Sequence, residues 1–248
     1  MELGLSGKRA AVAASSGGLG FAVAAALAGE GADVVVNGRD PSRAAAAAER
    51  IGARAVSGDV STADGALAFV AGALEALGGV DVLITNAGGP PAGYAADFEA
   101  DIDQYRRAFE LNCMSVIAMC NATVPQMRAR KWGRVIAITS IAVRQPIPYL
   151  VLSNTARAGA TGFLKTLAGE VARDGVTVNS LQPGPHDTDR LRGLHGGDTS
   201  GAAAEIPTGV VGDPADFGAF AAFLCSDRAR FVTGAAIPVD GGASGGLQ

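Results

Sequence analysis

A glycine-rich turn, A-A-S-S-G-G-L-G, stands near the N-terminus between an apolar run and an alanine-rich run. Because glycine has no Cβ, Gly18 and Gly20 would let the backbone approach a pyrophosphate closely. The hydroxyls of Ser15 and Ser16 could donate to that anion. A helix beginning near Leu19 would direct free N–H groups and the positive end of its dipole at it. We predict a nucleotide phosphate site here, although a tight strand-to-helix connection without a ligand would use the same glycines.

The next apolar run ends in V-V-V-N-G-R-D, and its last residues bear on the choice of nucleotide. A carboxylate at this point would bind the adenosine ribose 2′-hydroxyl of NAD, whereas an arginine can bind the 2′-phosphate of NADP. Asn37 and Gly38 supply no acid, and Arg39 supplies a cation. We predict NADP and keep NAD as the alternative, because Asp40 follows directly and Arg39 could be a solvated surface residue.

The elements that carry these motifs are short apolar runs alternating with longer alanine-rich runs. Runs such as V-D-V-L-I-T and R-V-I-A-I-T are apolar throughout, which indicates strands buried on both faces in a parallel sheet. The pattern predicts a doubly wound α/β fold with ligands outside the carboxyl ends of the strands. Strands are predicted at 8–14, 32–37, 53–57, 80–85, 133–139, 175–181 and 235–239. Helices are predicted at 18–30, 41–51, 62–77, 103–129, 152–173 and 214–226.

The chain shows no linker, internal repeat or low-complexity tail, so a single domain over residues 1–248 is predicted. One long irregular segment, 183–213, contains seven glycines and follows the sixth strand. Loops of this length in a compact domain usually carry function. We predict a flexible substrate lid at about 185–213.

Composition excludes several classes of function. The net charge of −4, without a long block of one sign, argues against nucleic acid as a partner. No apolar run approaches the ~18 to 20 residues of a membrane span and the start lacks a signal-peptide pattern, so we expect a cytoplasmic protein without a membrane partner. Cys113 and Cys120, seven residues apart on a predicted helix, are expected to pack in the core. No metal site is predicted.

Several motifs, in order along essentially the whole chain, resemble the short-chain dehydrogenase/reductase family. Residues 13–20 match its T-G-x-x-x-G-x-G motif, with alanines in place of the opening threonine and glycine. Ala14 adds a methyl group near the nucleotide and is tolerated if its φ is negative. The other cofactor-binding positions that the resemblance implies are Asp59 and Val60 at the adenine, Asn86, Ala87 and Gly88 at the ribose, and Pro183, Gly184 and Thr188 at the nicotinamide. His186, three residues after Pro183, is expected to lie near the nicotinamide as well.

The resemblance also implies a fold, an activity and an assembly. The fold is a single Rossmann domain with a seven-stranded parallel sheet and helices on both faces. The activity is hydride transfer between NADP(H) and a small-molecule substrate, such as a ketone, an alcohol or a 3-oxoacyl compound. The assembly is a homotetramer, or a homodimer.

The catalytic set of the family is Asn, Ser and Tyr-x-x-x-Lys, and this chain matches only part of it. Asn112 and Ser140 match the first two. The stretch S-N-T-A-R-A-G resembles the family's Y-x-A-S-K-A-G, which puts Ser153 in place of the tyrosine and Arg157 in place of the lysine. Serine is a much weaker and shorter acid than tyrosine. Arginine keeps the positive charge but cannot shuttle a proton at neutral pH.

Three groups could replace the missing acid: Tyr149 one turn before Ser153, His186, or a water held between Ser153, Ser140 and Asn112. Two functions therefore stay open. The first is an atypical NADP-linked oxidoreductase. The second is a catalytically impaired relative that serves as a nucleotide-binding sensor or scaffold.

Overall fold

The computed structural model describes residues 2–99, 101–194 and 196–246, which form an α/β sandwich. Its seven strands form one sheet in the order β3-β2-β1-β4-β5-β6-β7, and each neighbouring pair is parallel. The doubly wound, seven-stranded prediction is confirmed. The strands are β1 Arg9–Val12, β2 Asp33–Gly38, β3 Arg54–Ser57, β4 Val82–Thr85, β5 Gly133–Ile138, β6 Val176–Pro183 and β7 Ala236–Val239.

Helices cover both faces of the sheet, which explains why central strands such as β4 and β5 are largely apolar. On one face α1 and α9 pack against residues such as Val12, Ile84 and Leu181. On the other face α3, α5 and α6 pack against residues such as Val35 and Leu83. The helices are α1 Gly18–Gly29, α2 Pro41–Arg50, α3 Ala63–Leu77, α4 Ile102–Phe109, α5 Ser115–Ala129, α6 Val151–Val171, α7 Asp189–Leu194, α8 Ser200–Ala204 and α9 Pro214–Cys225.

Two predicted segments differ from the structure. The helix predicted at 103–129 contains a π-helical turn, Glu110–Met114, between α4 and α5. The segment predicted as irregular at 183–213 contains α7 and α8, and its two ends are joined by a bridge between His186 and Gly212. Its movement as a lid stays a prediction. Cys113 and Cys120 are buried, as predicted. Among the described residues, no helix has the length and apolar character needed to cross a bilayer.

Candidate active site

Asn37, at the end of β2, holds the glycine-rich turn in place. Its side-chain Oδ1 accepts from the N–H of Ala14 at 2.9 Å, and its carbonyl oxygen accepts from the N–H groups of Ser15 (2.7 Å) and Ser16 (3.1 Å). Its Nδ2 donates to two carbonyl oxygens at and after β3. The sequence analysis treated Asn37 only as a missing acid. A buried amide closing an apolar strand was the signal for this structural role.

Ser15 belongs to the same network, and this contradicts its predicted role. The side chain is fully buried, its hydroxyl donates to the carbonyl of Val12 at 2.7 Å, and its oxygen accepts from the N–H of Asn37 at 2.9 Å. A serine hydroxyl has one hydrogen to donate, and that hydrogen is used within the protein. Ser15 therefore shapes the turn instead of donating to a phosphate.

The N-terminus of α1 follows the turn with its N–H groups uncapped by any side chain and with no acidic residue in its first turn. Gly18 has φ +57°, and a Cβ on Gly20 would lie 2.6 Å from the carbonyl oxygen of Ala14. Only glycine fits at position 20, because α1 and the turn are in close contact there. Leu19 packs against the core beside these glycines. The arrangement suits an anion at the helix terminus.

Ala14 has φ +45°, so the condition under which its methyl group is tolerated, a negative φ, is not met. This left-handed conformation costs a residue with a Cβ roughly 1–2 kcal/mol. The resemblance places a glycine of the family motif at this position, and glycine adopts the conformation without that cost. The turn therefore holds Ala14 in a backbone conformation that alanine disfavours.

Arg39 and Arg43 line one cavity at the carboxyl end of β2. A cavity of about 550 Å³ there is lined by Ser16, Arg39, Asp40, Pro41 and Arg43. The carboxylate of Asp40 accepts from the N–H groups of Ser42 (2.8 Å) and Arg43 (3.1 Å), so it caps α2. Arg43 was missed by the sequence analysis. Its position four residues after Arg39, in the first turn of α2, was the available signal.

The other predicted cofactor-binding positions follow the third and fourth strands. Asp59 is exposed and accepts from the N–H of Ser61, whereas Val60 is buried in the core. Asn86 donates to the carbonyl of Ala14 at 3.0 Å and so joins the end of β4 to the glycine-rich turn. Ala87 is half-buried and Gly88 is exposed, with open space where a Cβ would lie.

The carbonyl oxygen of Gly88 brings two of the predicted catalytic residues together. It accepts from Nδ2 of Asn112 at 3.0 Å and from a terminal nitrogen of Arg157 at 3.3 Å. Asn112 is buried in the π-helical turn, and its Oδ1 has no hydrogen-bond partner among the described residues. Such turns interrupt helices most often at functional sites. Ser140, after β5, accepts from the N–H of Ala142 at 3.1 Å.

Ser153 and Arg157 lie one turn apart on the buried side of α6, 8% and 9% exposed. Nε of Arg157 donates to the hydroxyl oxygen of Ser153 at 3.2 Å. The guanidinium also donates to the carbonyls of Ile138 and Thr139, at 3.0 and 3.1 Å. Desolvation, and then repulsion from Arg190, lowers the pKa of Arg157 to about 10. Arg157 is therefore still a cation at neutral pH.

Comparison with known proteins assigns the family. The family model described as Enoyl-(Acyl carrier protein) reductase matches residues 13–244. The 3-oxoacyl-[acyl-carrier-protein] reductase FabG of Vibrio cholerae is 31% identical over 242 residues, 97% of this chain and 98% of that protein. Human dehydrogenase/reductase SDR family member 4 is 31% identical over 96% of this chain and 88% of that protein. This chain belongs to the short-chain dehydrogenase/reductase family.

Solved structures extend the comparison within the short-chain dehydrogenases/reductases. L-Sorbose reductase from Gluconobacter frateurii, crystallised with NADPH and L-sorbose, superposes with a TM-score of 0.90 at 34% identity, covering 100% of both chains. A 3-oxoacyl (acyl-carrier-protein) reductase from Agrobacterium tumefaciens, crystallised with NADP, gives 0.89 at 31% identity, covering 97% of this chain and 95% of that one.

Of the side chains weighed as a replacement acid in this short-chain dehydrogenase/reductase, His186 is buried away from the residues around Gly88. Its Nδ1 lies 3.0 Å from the carbonyl oxygen of Gly184, and its ring packs edge-on against Phe217 of α9, with centroids 5.2 Å apart. A Cβ on Gly212 would lie 2.6 Å from the same ring. Burial lowers the pKa of His186. The ring supports the base of the lid segment.

Tyr149, the other side chain weighed, is 48% exposed and precedes α6. Its carbonyl oxygen accepts from the N–H of Gly93 at 2.7 Å. Among the described residues, neither Tyr149 nor His186 is hydrogen-bonded to Asn112 or Arg157.

The turn after β6 packs against the end of β7. Pro183 ends β6, and the N–H of Gly184 donates to the carbonyl of Val239 at 3.0 Å. A Cβ on Gly184 would lie 2.7 Å from that of Asp240, so the two strand ends pack closely. Thr188 faces the glycine-rich turn, with its methyl carbon 3.9 Å from where a Cβ on Gly18 would be. The segment after β6 therefore lies beside the glycine-rich turn.

Proposed function

We propose that this protein is an NADP(H)-dependent oxidoreductase of small ketones and alcohols with an atypical active site. In that site Ser153 and Arg157 stand in place of a tyrosine and a lysine. The observation that carries the proposal is the convergence of Asn112 and Arg157 on the carbonyl of Gly88, with Ser153 bonded to the same guanidinium. A scaffold would not need this polar cluster at the ends of the parallel strands.

The residues present fit NADP(H). The uncapped N-terminus of α1, with Gly18 and Leu19, suits the pyrophosphate, and Arg39 and Arg43 line a cavity that suits the 2′-phosphate. The open space at Gly88 leaves room for a ribose. Asn86, Ala87, Gly184 and Thr188 would complete the contacts. Bound NADPH would supply a hydride to a carbonyl carbon, as the cofactor's own chemistry.

The proton is the harder part of the reaction for this site. Arg157 cannot release one at neutral pH, and Ser153 accepts a hydrogen bond from it. The buried Oδ1 of Asn112 has an unused acceptor site. We assign the relay to a water held by Asn112, Ser140 and Ser153, with the Ser140 hydroxyl polarising the carbonyl. Absence of a positioned acid costs about 10²- to 10⁴-fold in rate, so slow turnover is expected.

The substrates of relatives set the range to test. Similar proteins are named for 3-oxoacyl, sorbose and steroid reactions; the 3beta-hydroxysteroid dehydrogenase 1 of Eggerthella lenta is 36% identical over 96% of this chain and 94% of that protein. We carry over a small ketone, alcohol or 3-oxoacyl compound as the substrate class. A homotetramer or homodimer in the cytoplasm remains a prediction.

A second candidate function is a nucleotide-binding sensor or scaffold. The positions of the three tyrosines favour it. Tyr94, Tyr105 and Tyr149 all lie outside α6, so none of them stands where the family has its catalytic tyrosine. The two candidates share the nucleotide site and differ only in turnover.

Two measurements test the proposal. Fluorescence titration should show saturable binding of NADPH, with NADH binding more weakly as the matched control. Incubation with NADPH and a panel of ketones should then give slow, protein-dependent oxidation of NADPH. Binding without turnover of any ketone would favour the sensor, and failure of both nucleotides to bind would remove the oxidoreductase assignment.

A further inference from the structure

Two guanidinium groups converge on adjacent glycines after β4. Arg157 donates to the carbonyl oxygen of Gly88 at 3.3 Å. Arg190, on α7 of the lid segment, lies against Gly89 so closely that a methyl group on that glycine would overlap the guanidinium. The lid therefore places a cation beside the cluster formed by Asn112 and Arg157.

Neither cation has an acidic partner within 2–99, 101–194 and 196–246. The two acids just before Arg190 in the sequence pair with another arginine, since Arg192 lies 2.8 Å from Asp187 and 3.7 Å from Asp189. Burial lowers the pKa of Arg157, and among the described residues the charge that adds to this effect is that of Arg190, which repels the guanidinium. Like charges that converge without a carboxylate are unfavourable until an anion lies between them.

Both groups can still bind an anion. Arg157 has five N–H donors and makes four hydrogen bonds, so one N–H of its terminal nitrogen is unused. Arg190 is exposed and makes no ion pair with the described residues. The predicted phosphate sites lie elsewhere, at the N-terminus of α1 and beside Arg39 and Arg43.

We infer that the substrate is a small oxo acid, whose carboxylate is bound by Arg190 of the lid beside Arg157. This inference rests on the proposed function. The carbonyl carbon would take a hydride from NADPH and the carbonyl oxygen a proton from water, which gives a hydroxy acid and NADP⁺ and leaves the carboxylate unchanged. The carboxylate would also offset the positive charge that the nicotinamide gains. Arg190 would then be a specificity-determining residue that draws the lid onto the substrate.

Matched acid and ester pairs test the inference: pyruvate and methyl pyruvate, acetoacetate and methyl acetoacetate, levulinate and methyl levulinate. For each compound, kcat/KM with NADPH and the Kd for the NADPH complex are measured. In at least one pair the acid should bind about tenfold more tightly than its ester, as a charge-assisted hydrogen bond provides. The preference should shrink at high salt.

Variants at Arg190 assign the effect. Arg190→Gln should raise the KM or Kd of the acid about tenfold, leave that of the ester and of NADPH unchanged, and be partly rescued by Arg190→Lys. Arg173→Gln removes an exposed arginine beyond the far end of α6 and should change nothing.

Equal binding of acid and ester in all three pairs, or a preference that survives Arg190→Gln, overturns the inference. Reduction of the esters in that case keeps the proposed function. Absence of NADPH binding and of all turnover removes both.

Discussion

The glycine-rich turn and the cleft lined by Asn112, Ser153 and Arg157 differ in how their buried polar groups are bonded. In the turn, Asn37 and Ser15 use their side-chain polar atoms on the protein itself. At the cleft and the neighbouring strand ends, Oδ1 of Asn112, Oγ1 of Thr85 and both amide atoms of Gln182 are buried without partners in the described chain. The side-chain polar atoms of Asn37 and Ser15 are satisfied without a ligand, and Oδ1 of Asn112 is not.

This difference has an energetic meaning. An unpartnered buried polar group costs about 1–3 kcal/mol, so the folded protein carries these groups at the expense of stability. Ligands or water molecules that hydrogen-bond to these groups can recover part of the lost stability. In the turn, by contrast, the destabilising feature is the left-handed backbone of Ala14. Substitutions in the turn should therefore act mainly on stability and nucleotide affinity, and substitutions in the cleft mainly on turnover.

The largest effect should come from restoring the family pair in the cleft. The double change Ser153→Tyr and Arg157→Lys should raise kcat for ketone reduction about 10²- to 10⁴-fold, because a phenol beside a cation is a positioned general acid. Initial rates of NADPH oxidation measure this. The single change Arg157→Lys is the control and should give little gain. A folded double variant that binds NADPH normally but is no faster would show that the cleft lacks the assumed geometry.

At the end of β2, Asn37→Ala should destabilise the protein by about 3 kcal/mol, since it leaves the N–H of Ala14 and the carbonyls of Val56 and Gly58 without their partner. Urea denaturation measures the free energy of unfolding. Asn121→Ala, at an exposed position of α5, is the matched control and should cost under about 0.5 kcal/mol. Equal costs for the two variants would contradict the structural role of Asn37.

The cavity at the end of β2 should set the choice of nucleotide. Arg39→Ala with Arg43→Ala should weaken NADPH binding by about 2 kcal/mol, roughly 30-fold, and leave NADH binding nearly unchanged. Fluorescence titration of both nucleotides measures the ratio. Arg54→Ala, exposed on β3, serves as the control. A ratio that does not move would place the 2′-phosphate elsewhere.

Ala14→Gly should stabilise the protein by up to about 1 kcal/mol, because glycine adopts the left-handed φ of this position without strain. Ala13→Gly is the matched control: this neighbour is buried in the core, so the same change should destabilise. Denaturant midpoints compare the two. Loss of stability in both variants would contradict the strain at Ala14.

The smallest effect concerns His186 at the base of the lid. Burial holds its pKa in the folded protein below the usual 6.5. The folded state thus favours the neutral ring, so this contribution to stability is present above pH 6.5 and is lost as the pH falls through the folded-state pKa. Between pH 7.5 and 5 the free energy of unfolding should therefore fall. Unfolding free energies of His186→Gln should show a flatter pH profile over this range, and identical profiles would contradict the assignment.

The sequence predicted the fold well because apolar runs without alternation allow little except a doubly wound parallel sheet. All seven strands lie within a few residues of their predicted positions. Details that depend on contacts distant in sequence were not predictable. The pattern A-A-S-S does not show that the Ser15 oxygen accepts from Asn37 or that Ala14 is left-handed, because Asn37, which bonds to both residues, lies 22 residues after Ser15.

The candidate site divides in the same way. The motif spacing predicted Asn112 and Arg157 as site residues. The structure shows that both donate a hydrogen bond to the carbonyl oxygen of Gly88. Arg190 carried no signal, since its approach to Gly89 depends on how the lid segment folds back after β6. Lid segments are positioned by tertiary packing, and local sequence patterns describe them least well.

The most direct test follows the hydride. Protein incubated with a ketone panel and NADPH that carries deuterium at both C4 positions should give alcohols with one deuterium on the carbinol carbon, slowly and in proportion to protein, as mass spectrometry would detect. NADPH that binds saturably while no deuterated alcohol forms from any ketone would contradict a working reductase and leave the sensor.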